Sequence, residues 1–353
     1  MSWQVEIEPL GELVEVEEGQ SILDAALRGG IYLPHACGHG LCGTCKVQVL
    51  EGEVEHGDAS PFALMDMERD EGKCLACTAV PLSDLIIEAD IEEDPDAESH
   101  PVRDFTATVE KIDAPCERIK VFTLRLEGEQ IAFQAGQYVN LQVPGVEGPR
   151  AFSMANPPSR ADIVELHICK VRGGPATTWL HEELQEGMKL SFSGPYGRFF
   201  IRKSAPGPIL LLAGGSGISA IKSMLLDLLE TGAERDITLI HGARDRAELY
   251  TRALFEDLAA RHASFRYLPV LSDEPPDSGW TGPRGFVHEA AKELYGGRFS
   301  DNKAYVCGPP PMVEACVTAL MRGRLFERDI FVEQFLTKSP QEERKRSPLF
   351  RKI

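Results

Sequence analysis

His35-Ala36-Cys37-Gly38-His39-Gly40-Leu41-Cys42-Gly43-Thr44-Cys45 sets three cysteines at the spacing C-x4-C-x2-C. Thiols crowded in this way read as metal ligands. Gly38, Gly40 and Gly43 matter as much as the sulfurs. Without a Cβ they let the backbone wrap tightly, with positive φ where needed, so that successive N–H groups point at sulfur. Working outward, Val5-Glu6-Ile7 and Leu13–Val16 alternate as strands on the upstream side. Ser21 is placed as an N-cap, with Asp24 in the capping-box position, ahead of a helix through Ile22, Ala25, Ala26 and Leu27 that Gly29-Gly30 ends. Lys46–Leu50 follows the loop as a strand, and Leu85-Ile86-Ile87 closes the unit. Residues 1–93 are therefore expected to form a small α+β domain around the cysteine loop.

C-x4-C-x2-C with a distant fourth cysteine is the ligand spacing of a plant-type [2Fe–2S] cluster, which moves one electron at a time. Cys74 and Cys77 follow Cys45 after 28 and 31 intervening residues, and the spacing alone allows either. Cys42-x2-Cys45 with Cys74-x2-Cys77 also has the make-up of a four-thiolate zinc site, which would leave Cys37 unexplained. A zinc-stabilised interaction protein is thus a second reading, from another class.

The chain has 353 residues, enough for two or three domains with cores of their own. Nine cysteines, four of them in a metal-like pattern, fit a reducing cytoplasm; Cys116, Cys169 and Cys316 read as small buried hydrophobes. Met1–Glu6 has neither the basic start nor the apolar run of a signal peptide, and no apolar run approaches the length of a membrane span. The net charge of −18 is lopsided: residues 1–100 hold 23 Asp/Glu against 4 Lys/Arg, and residues 101–353 hold 32 against 33. An acidic lobe of this kind repels phosphate, so no nucleic acid and no membrane are expected as partners, and it would steer toward a partner with a basic face.

Ile91–His100 is acidic, with a Pro and nothing to bury, and reads as a linker, after which the pattern changes. Residues 101–205 carry short alternating segments (Ala107–Val109, Val121–Leu124, Tyr138–Leu141, Val164–Ile168) punctuated by Gly and Pro, the signature of an antiparallel barrel. Residues 206–336 alternate strand and helix from the buried run Ile209–Leu212 onward, the signature of a doubly wound parallel sheet. Residues 337–353 are basic and read as a tail.

Three motifs fall in these two domains. Gly214-Gly215-Ser216-Gly217 joins a strand to a helix, where free N–H groups and the helix dipole favour phosphate; a turn that simply needs glycine is the plainer explanation. Cys307-Gly308-Pro309-Pro310-Pro311-Met312 is a rigid corner opening a helix, which accounts for the prolines but not for the cysteine. Arg150-Ala151-Phe152-Ser153 offers a forked guanidinium, a flat ring and a hydroxyl.

Read in order, these segments resemble the flavin reductases of bacterial oxygenases, in the ferredoxin–NADP reductase superfamily. Phe133–Tyr138 looks like that superfamily's barrel opening, Arg150-x-Phe152-Ser153 like its Arg-x-Tyr-Ser flavin motif, and Gly173-Gly174-Pro175-Ala176-Thr177 like its pyrophosphate turn. Gly194–Gly197, Gly214–Gly217 and Cys307–Pro310 look like its nicotinamide half. Ala36–Gly40, Ser60–Asp66 and Gly323–Phe331 are similar to the reductase components of multicomponent phenol hydroxylases.

The resemblance implies a β-grasp ferredoxin domain, an FAD barrel and a nicotinamide domain. It implies Cys37, Cys42, Cys45 and Cys77 as the cluster ligands, because Leu75-Ala76-Cys77 matches the segment carrying the last ligand in such fusions. It places Ser153 near flavin N5, Cys307 and Glu333 on the hydride path, Phe335 over the flavin face, and Arg150 and Thr177 on the FAD phosphates. Tyr138, Phe152, His167 and Gly174 are further FAD contacts by the same likeness, and Gly214–Gly217, Arg244, Asp245, Gly308 and Pro309 would hold the nucleotide. Phe152 stands where the family has Tyr, and Thr177 where it has Ser. An acid at Asp245 favours a free ribose hydroxyl, hence NADH, while Arg244 and Arg246 argue for a 2′-phosphate. The implied partner is the oxygenase component of an aromatic monooxygenase; a dioxygenase or a deoxysugar dehydratase would use the same three modules. A hydride donor and a one-electron cluster need a flavin between them, so FAD, NADH and [2Fe–2S] are expected together.

Overall fold

The computed structural model describes residues 1–92, 94–232 and 234–335. The stretch 337–353, read as a basic tail, and Leu336 lie outside the described residues. The chain divides into two units, residues 1–104 with 193–198, and residues 105–192 with 199 onward.

In the first unit, β1 (Ser2–Glu8) and β2 (Glu12–Glu17) form a hairpin, followed by helix α1 (Ile22–Arg28), β3 (Lys46–Glu51), β4 (Val54–Glu55), helix α2 (Asp66–Asp70), β5 (Lys73–Leu75), β6 (Val80–Pro81) and β7 (Leu85–Glu88). The main sheet runs β2-β1-β7-β3-β5, with β1 and β7 parallel and the other pairs antiparallel. That parallel central pair within an otherwise antiparallel sheet is the β-grasp arrangement. Val5, Ile7, Val14 and Val16 alternate inward, and Ile22, Leu23, Ala25 and Ala26 of α1 bury against the same core. Ser21 caps α1, its hydroxyl accepting from the Asp24 N–H at 3.2 Å, and Gly30 leaves the helix at φ +80°. The Asp24 carboxylate does not close a capping box; it accepts from Gln20 and Arg28. Ile91–His100 differs from a free linker. The backbone N–H of Val102 bonds the Leu27 carbonyl at 3.0 Å, the Ser99 hydroxyl bonds the Gly30 carbonyl, and the first unit runs on to Asp104.

The barrel strands are β8 (Arg103–Cys116), β9 (Ile119–Leu126), β10 (Tyr138–Leu141), β11 (Arg150–Ser153), β12 (Ile163–Cys169) and, after helix α3 (Pro175–Glu182), β13 (Lys189–Tyr196). Their order is β11-β10-β13-β8-β9-β12, and an antiparallel bridge from Met154 to Leu166 joins the two outermost strands. That bridge closes the sheet on itself and leaves it no free edge. Phe122, Leu124, Val139, Leu141, Leu166 and Phe192 fill the interior.

The remaining elements are β14 (Ile209–Gly214), α4 (Ile218–Glu230), β15 (Ile237–Ala243), α5 (Arg252–Arg261), β16 (Phe265–Leu271), α6 (Val287–Leu294), β17 (Lys303–Gly308), α7 (Pro310–Arg322) and β18 (Ile330–Gln334). All pairs in the sheet β16-β15-β14-β17-β18 are parallel. Two separate clusters of buried apolar residues cover its two faces, as a doubly wound sheet requires. The edge strand β18 was not visible as a strand in the sequence, because Ile330–Gln334 is only five residues and half-exposed, and its order comes from pairing with β17. No helix among the described residues is long and apolar enough to cross a membrane.

Candidate functional site

The cysteine loop is built by its glycines. Gly38, Gly40 and Gly43 have φ of +70°, +76° and +76°, the left-handed region that a side chain disfavours. The wrap turns backbone N–H groups toward sulfur: Gly40 donates to Cys77 Sγ at 3.2 Å and Leu41 to Cys37 Sγ at 3.4 Å. A Cβ on Gly40 would stand 2.9 Å from the Asp58 carbonyl oxygen, so the loop also packs too closely for alanine there.

The four sulfurs stand in two pairs. Cys45 lies beside Cys77 and Cys42 beside Cys37, and the Cys42 thiol donates to the Thr44 hydroxyl at 3.2 Å. The contact with Cys77 pulls the Cys45 thiol down to about 7, against its burial, while the same contact and burial push Cys77 up. Among the described residues no three of His, Cys, Asp and Glu are gathered closely enough to hold one ion. Four thiolates taken in pairs would suit a [2Fe–2S] cluster, and four gathered around one ion would suit zinc. Cys74 is fully buried in the core, its thiol pushed up to about 12 by burial and by Cys45, and it belongs to the packing.

In the second unit, pairing decides the arrangement. Register sets Glu333 of β18 beside Cys307 of β17, and Tyr138 of β10 opposite Ser153 of β11. The Ser153 hydroxyl donates to Glu333 Oε2 at 3.4 Å. Barrel and nucleotide sheet thus meet where Ser153 faces Glu333 and Cys307, both more than 150 positions further along the sequence. Burial pushes the Glu333 carboxyl up to about 8, the Ser153 hydrogen bond working the other way. Burial and the neighbouring Glu333 push the Cys307 thiol well above its ordinary range. Phe335 packs against the same core, its N–H on the Gly308 carbonyl at 3.1 Å.

The glycine loop is required by packing as well as by any ligand. A Cβ on Gly217 would lie 2.4 Å from the Cys307 carbonyl oxygen, and one on Gly214 2.3 Å from Met312 Sδ. Gly215 is different. Its φ is +56° and a Cβ would meet nothing, so the backbone there faces open space ahead of α4, a cradle for phosphate. Ser216 sits in the same turn, its carbonyl accepting from the Ser219 hydroxyl. Pro309 caps α7 and Gly308 fits under Met312.

Several expected contacts look different in three dimensions. The Thr177 hydroxyl accepts from the Val171 N–H at 3.0 Å and donates to the Gly174 carbonyl at 3.3 Å; it ties the turn that opens α3. Arg150 Nη1 donates to the carbonyls of Glu147, Gly148 and Pro149, each at 3.0 Å. Phe152 is half-buried against the barrel core. Asp245 caps a short turn, accepting from the Glu248 N–H at 3.2 Å. Arg244 is ion-paired with Glu248 and Arg246 with Glu274 at 2.7 Å. His167 is buried, and both ring nitrogens are taken by protein groups, Tyr250 and Glu165, which leaves neither nitrogen for a cofactor.

Three family descriptions match the chain in tandem: 2Fe-2S iron-sulfur cluster binding domain over residues 5–82, oxidoreductase FAD-binding domain over 106–201, and oxidoreductase NAD-binding domain over 211–318. The reductase component of phenol 2-monooxygenase from Pseudomonas sp. strain CF600 is 57% identical over 100% of both chains. The chain belongs to the phenol hydroxylase reductase family. The reductase subunit of an aromatic O-demethylase from Amycolatopsis is 40% identical over 92% of this reductase and 96% of that protein. The crystal structure of Amycolatopsis cytochrome P450 reductase GcoB superposes with a TM-score of 0.85 at 38% identity, covering 94% of this reductase and 98% of that chain. This reductase is accordingly an oxidoreductase of FAD, NADH and a [2Fe–2S] cluster.

Proposed function

We propose that this chain carries electrons from NADH through FAD and its [2Fe–2S] cluster to the oxygenase component of a phenol hydroxylase. Identity of 57% along the whole length with the Pseudomonas phenol 2-monooxygenase reductase carries the reading, and the two thiol pairs support it. The test is reconstitution: the anaerobically purified protein, its flavin and cluster absorbance bleached by NADH, is mixed with a phenol hydroxylase oxygenase. Phenol hydroxylation that depends on both supports the reading. A polypeptide with neither iron nor flavin, or one that leaves the oxygenase idle, rejects it.

Within that reading, Cys37, Cys42, Cys45 and Cys77 would hold the [2Fe–2S] cluster, which would supply one-electron transfer. FAD, when bound, supplies the conversion of a hydride pair into single electrons. Gly174 and Pro175 present the amino end of α3 to the FAD phosphates, with Thr177 fixing the turn rather than touching them. Arg150 adds its remaining guanidinium donors there. Tyr138, Phe152 and Phe335 border the ring site. Gly214–Gly217 cradle the nucleotide phosphates, with Gly308 and Pro309 forming the opposite wall. Ser153 orients through its hydroxyl, which donates to Glu333 Oε2. Ser153→Ala is expected to slow flavin reduction by NADH on the order of 10-fold to 100-fold, with a smaller effect on FAD binding; unchanged reduction kinetics in stopped flow reject the role.

The raised Glu333 carboxyl gives a pH signature. The folded state keeps a proton that the unfolded state has lost between the ordinary 4.5 and about 8, so this group's contribution to stability falls as pH rises through that window. Flavin reduction by NADH is expected to show an inflection near pH 8 that Glu333→Gln abolishes; the same inflection in the variant overturns the assignment.

Nicotinamide preference follows from charge. Arg244 and Arg246 are neutralised by Glu248 and Glu274, leaving no unpaired cation of that pair for a 2′-phosphate. The kcat/KM for NADH is expected to exceed that for NADPH, and equal values would overturn this.

A further inference from the structure

Both ring nitrogens of His167 are engaged in a chain of four polar groups. The ammonium of Lys222, on α4, contacts Glu165 Oε1 on β12. The same Glu165 oxygen lies 2.6 Å from His167 Nε2, also on β12. His167 Nδ1 lies 2.9 Å from the Tyr250 hydroxyl, which belongs to the stretch just before α5. Lys222, Glu165 and His167 side chains are 12%, 14% and 2% exposed. One arrangement of protons satisfies all four: the Lys222 cation on the Glu165 carboxylate, His167 Nε2–H donating to that carboxylate, and the Tyr250 hydroxyl donating to Nδ1. Burial opposes the Glu165 charge, yet the His167 hydrogen bond and the Lys222 cation hold the carboxyl down to about 2. Burial holds His167 neutral despite Glu165.

Two of the four groups sit on the barrel strand and two on the nucleotide half. A bond flanking them crosses the same boundary, and a second ties its acceptor residue to the network. The Ser223 hydroxyl on α4 donates to the Asn156 carbonyl at 2.7 Å, and the Asn156 side chain accepts from the Glu165 N–H at 2.9 Å. Helix α4 starts directly after Gly214–Gly217, so whatever fixes α4 against β12 fixes the phosphate cradle relative to the barrel that carries Ser153. A buried ion pair is weak evidence for stability, because apolar residues of the same volume often serve as well. Its angular demands make it better suited to holding a geometry.

We propose that Glu165 and Lys222, with His167 and Tyr250, are positioning residues that lock α4 onto β12 and so hold the nicotinamide at hydride-transfer distance from the flavin. This rests on the reading of the protein as an NADH–FAD reductase. A displacement of about 1 Å at the reacting atoms costs roughly 100-fold in rate.

The experiment uses the full-length protein loaded with FAD and cluster, with flavin bleaching followed anaerobically in stopped flow. The variants are Lys222→Met, Lys222→Arg and Tyr250→Phe, the last keeping the buried ring. At saturating NADH, Lys222→Met is expected to reduce the flavin at least about 10-fold more slowly, with Lys222→Arg recovering most of the rate and Tyr250→Phe intermediate. Bleaching by dithionite, which needs no nicotinamide geometry, is expected to stay at the wild-type rate. The long-wavelength charge-transfer absorbance of nicotinamide stacked on flavin should weaken in step with the rate. A lowered melting temperature with an unchanged limiting rate overturns the proposal, as does equal slowing with dithionite. If Lys222→Met does not fold, Tyr250→Phe at the wild-type limiting rate overturns it. Wild-type protein that NADH fails to bleach sinks the underlying reading instead, so the two failures are distinguishable.

Discussion

Cys77→Ala is expected to abolish the [2Fe–2S] cluster and, with it, electron delivery to the oxygenase, while NADH still bleaches the flavin. Cys77 forms one thiol pair with Cys45 and receives the Gly40 N–H at 3.2 Å. Removing it leaves one iron a thiolate short. Cys74 cannot take its place: it pairs across from Val47 in the sheet and lies fully buried, its thiol pushed up to about 12 and so poorly disposed to become a thiolate. The expected pattern is therefore a contrast. Cys77→Ala loses its iron and inorganic sulfide and its hydroxylase-coupled turnover falls at least about 100-fold, because the cluster has no fourth ligand, whereas Cys74→Ala keeps both. Reduction of ferricyanide, which takes electrons directly from flavin, should persist in both variants. Iron content and coupled turnover at wild-type levels in Cys77→Ala would show that another residue completes the site.

The second large effect is structural. Gly136→Ala is expected to destabilise the second unit by about 3 kcal/mol or more, from overpacking added to left-handed strain. Gly136 has φ +104°, and a Cβ there would sit 2.0 Å from the Phe199 carbonyl oxygen and 2.4 Å from Met224 Cε. The sulfur side chain of Met224 can move, but the backbone oxygen of Phe199 cannot without displacing the segment that leads out of β13. Met224 lies on α4, so any relief by that route shifts the helix that follows the glycine loop. Gly128→Ala is the matched control. Its φ is +78° and its Cβ would meet nothing within 4 Å, so only the backbone strain of about 1–2 kcal/mol applies. Thermal melts of the FAD-loaded proteins compare the two, and equal losses would reject the close-approach argument.

Much of this was legible along the chain because the signals are local. C-x4-C-x2-C with interleaved glycines specifies a cluster loop wherever it is placed, and the positive φ at Gly38, Gly40 and Gly43 follows from the residue type. Alternation at Val5–Ile7 and Leu13–Val16, the Ser21 cap and the all-buried run of β14 each report a nearest-neighbour preference, and each lies where its pattern placed it. The choice of Cys77 over Cys74 rested on resemblance, since both spacings reach; burial of Cys74 supplies the physical ground. Edge strand β18 escaped notice because a short half-exposed strand has no periodicity of its own. The hydrogen bonds of His167 are invisible along the chain for a related reason: a lone histidine on an alternating strand shows nothing of Tyr250, 83 residues later, or of Lys222.

The order of the three domains, their fold classes and the kinds of cofactor they hold were determined by the amino-acid sequence, since tight turns, glycine loops and apolar periodicity are properties of short segments. Which groups face one another was decided only by the tertiary structure: Ser153 against Glu333, Glu333 beside Cys307, Arg244 and Arg246 neutralised by carboxylates, and His167 withdrawn into an ion-pair network. The physical reason is that hydrogen bonds and charge pairs act over a few ångströms of space without regard to separation along the chain. Strand register and domain packing set those distances.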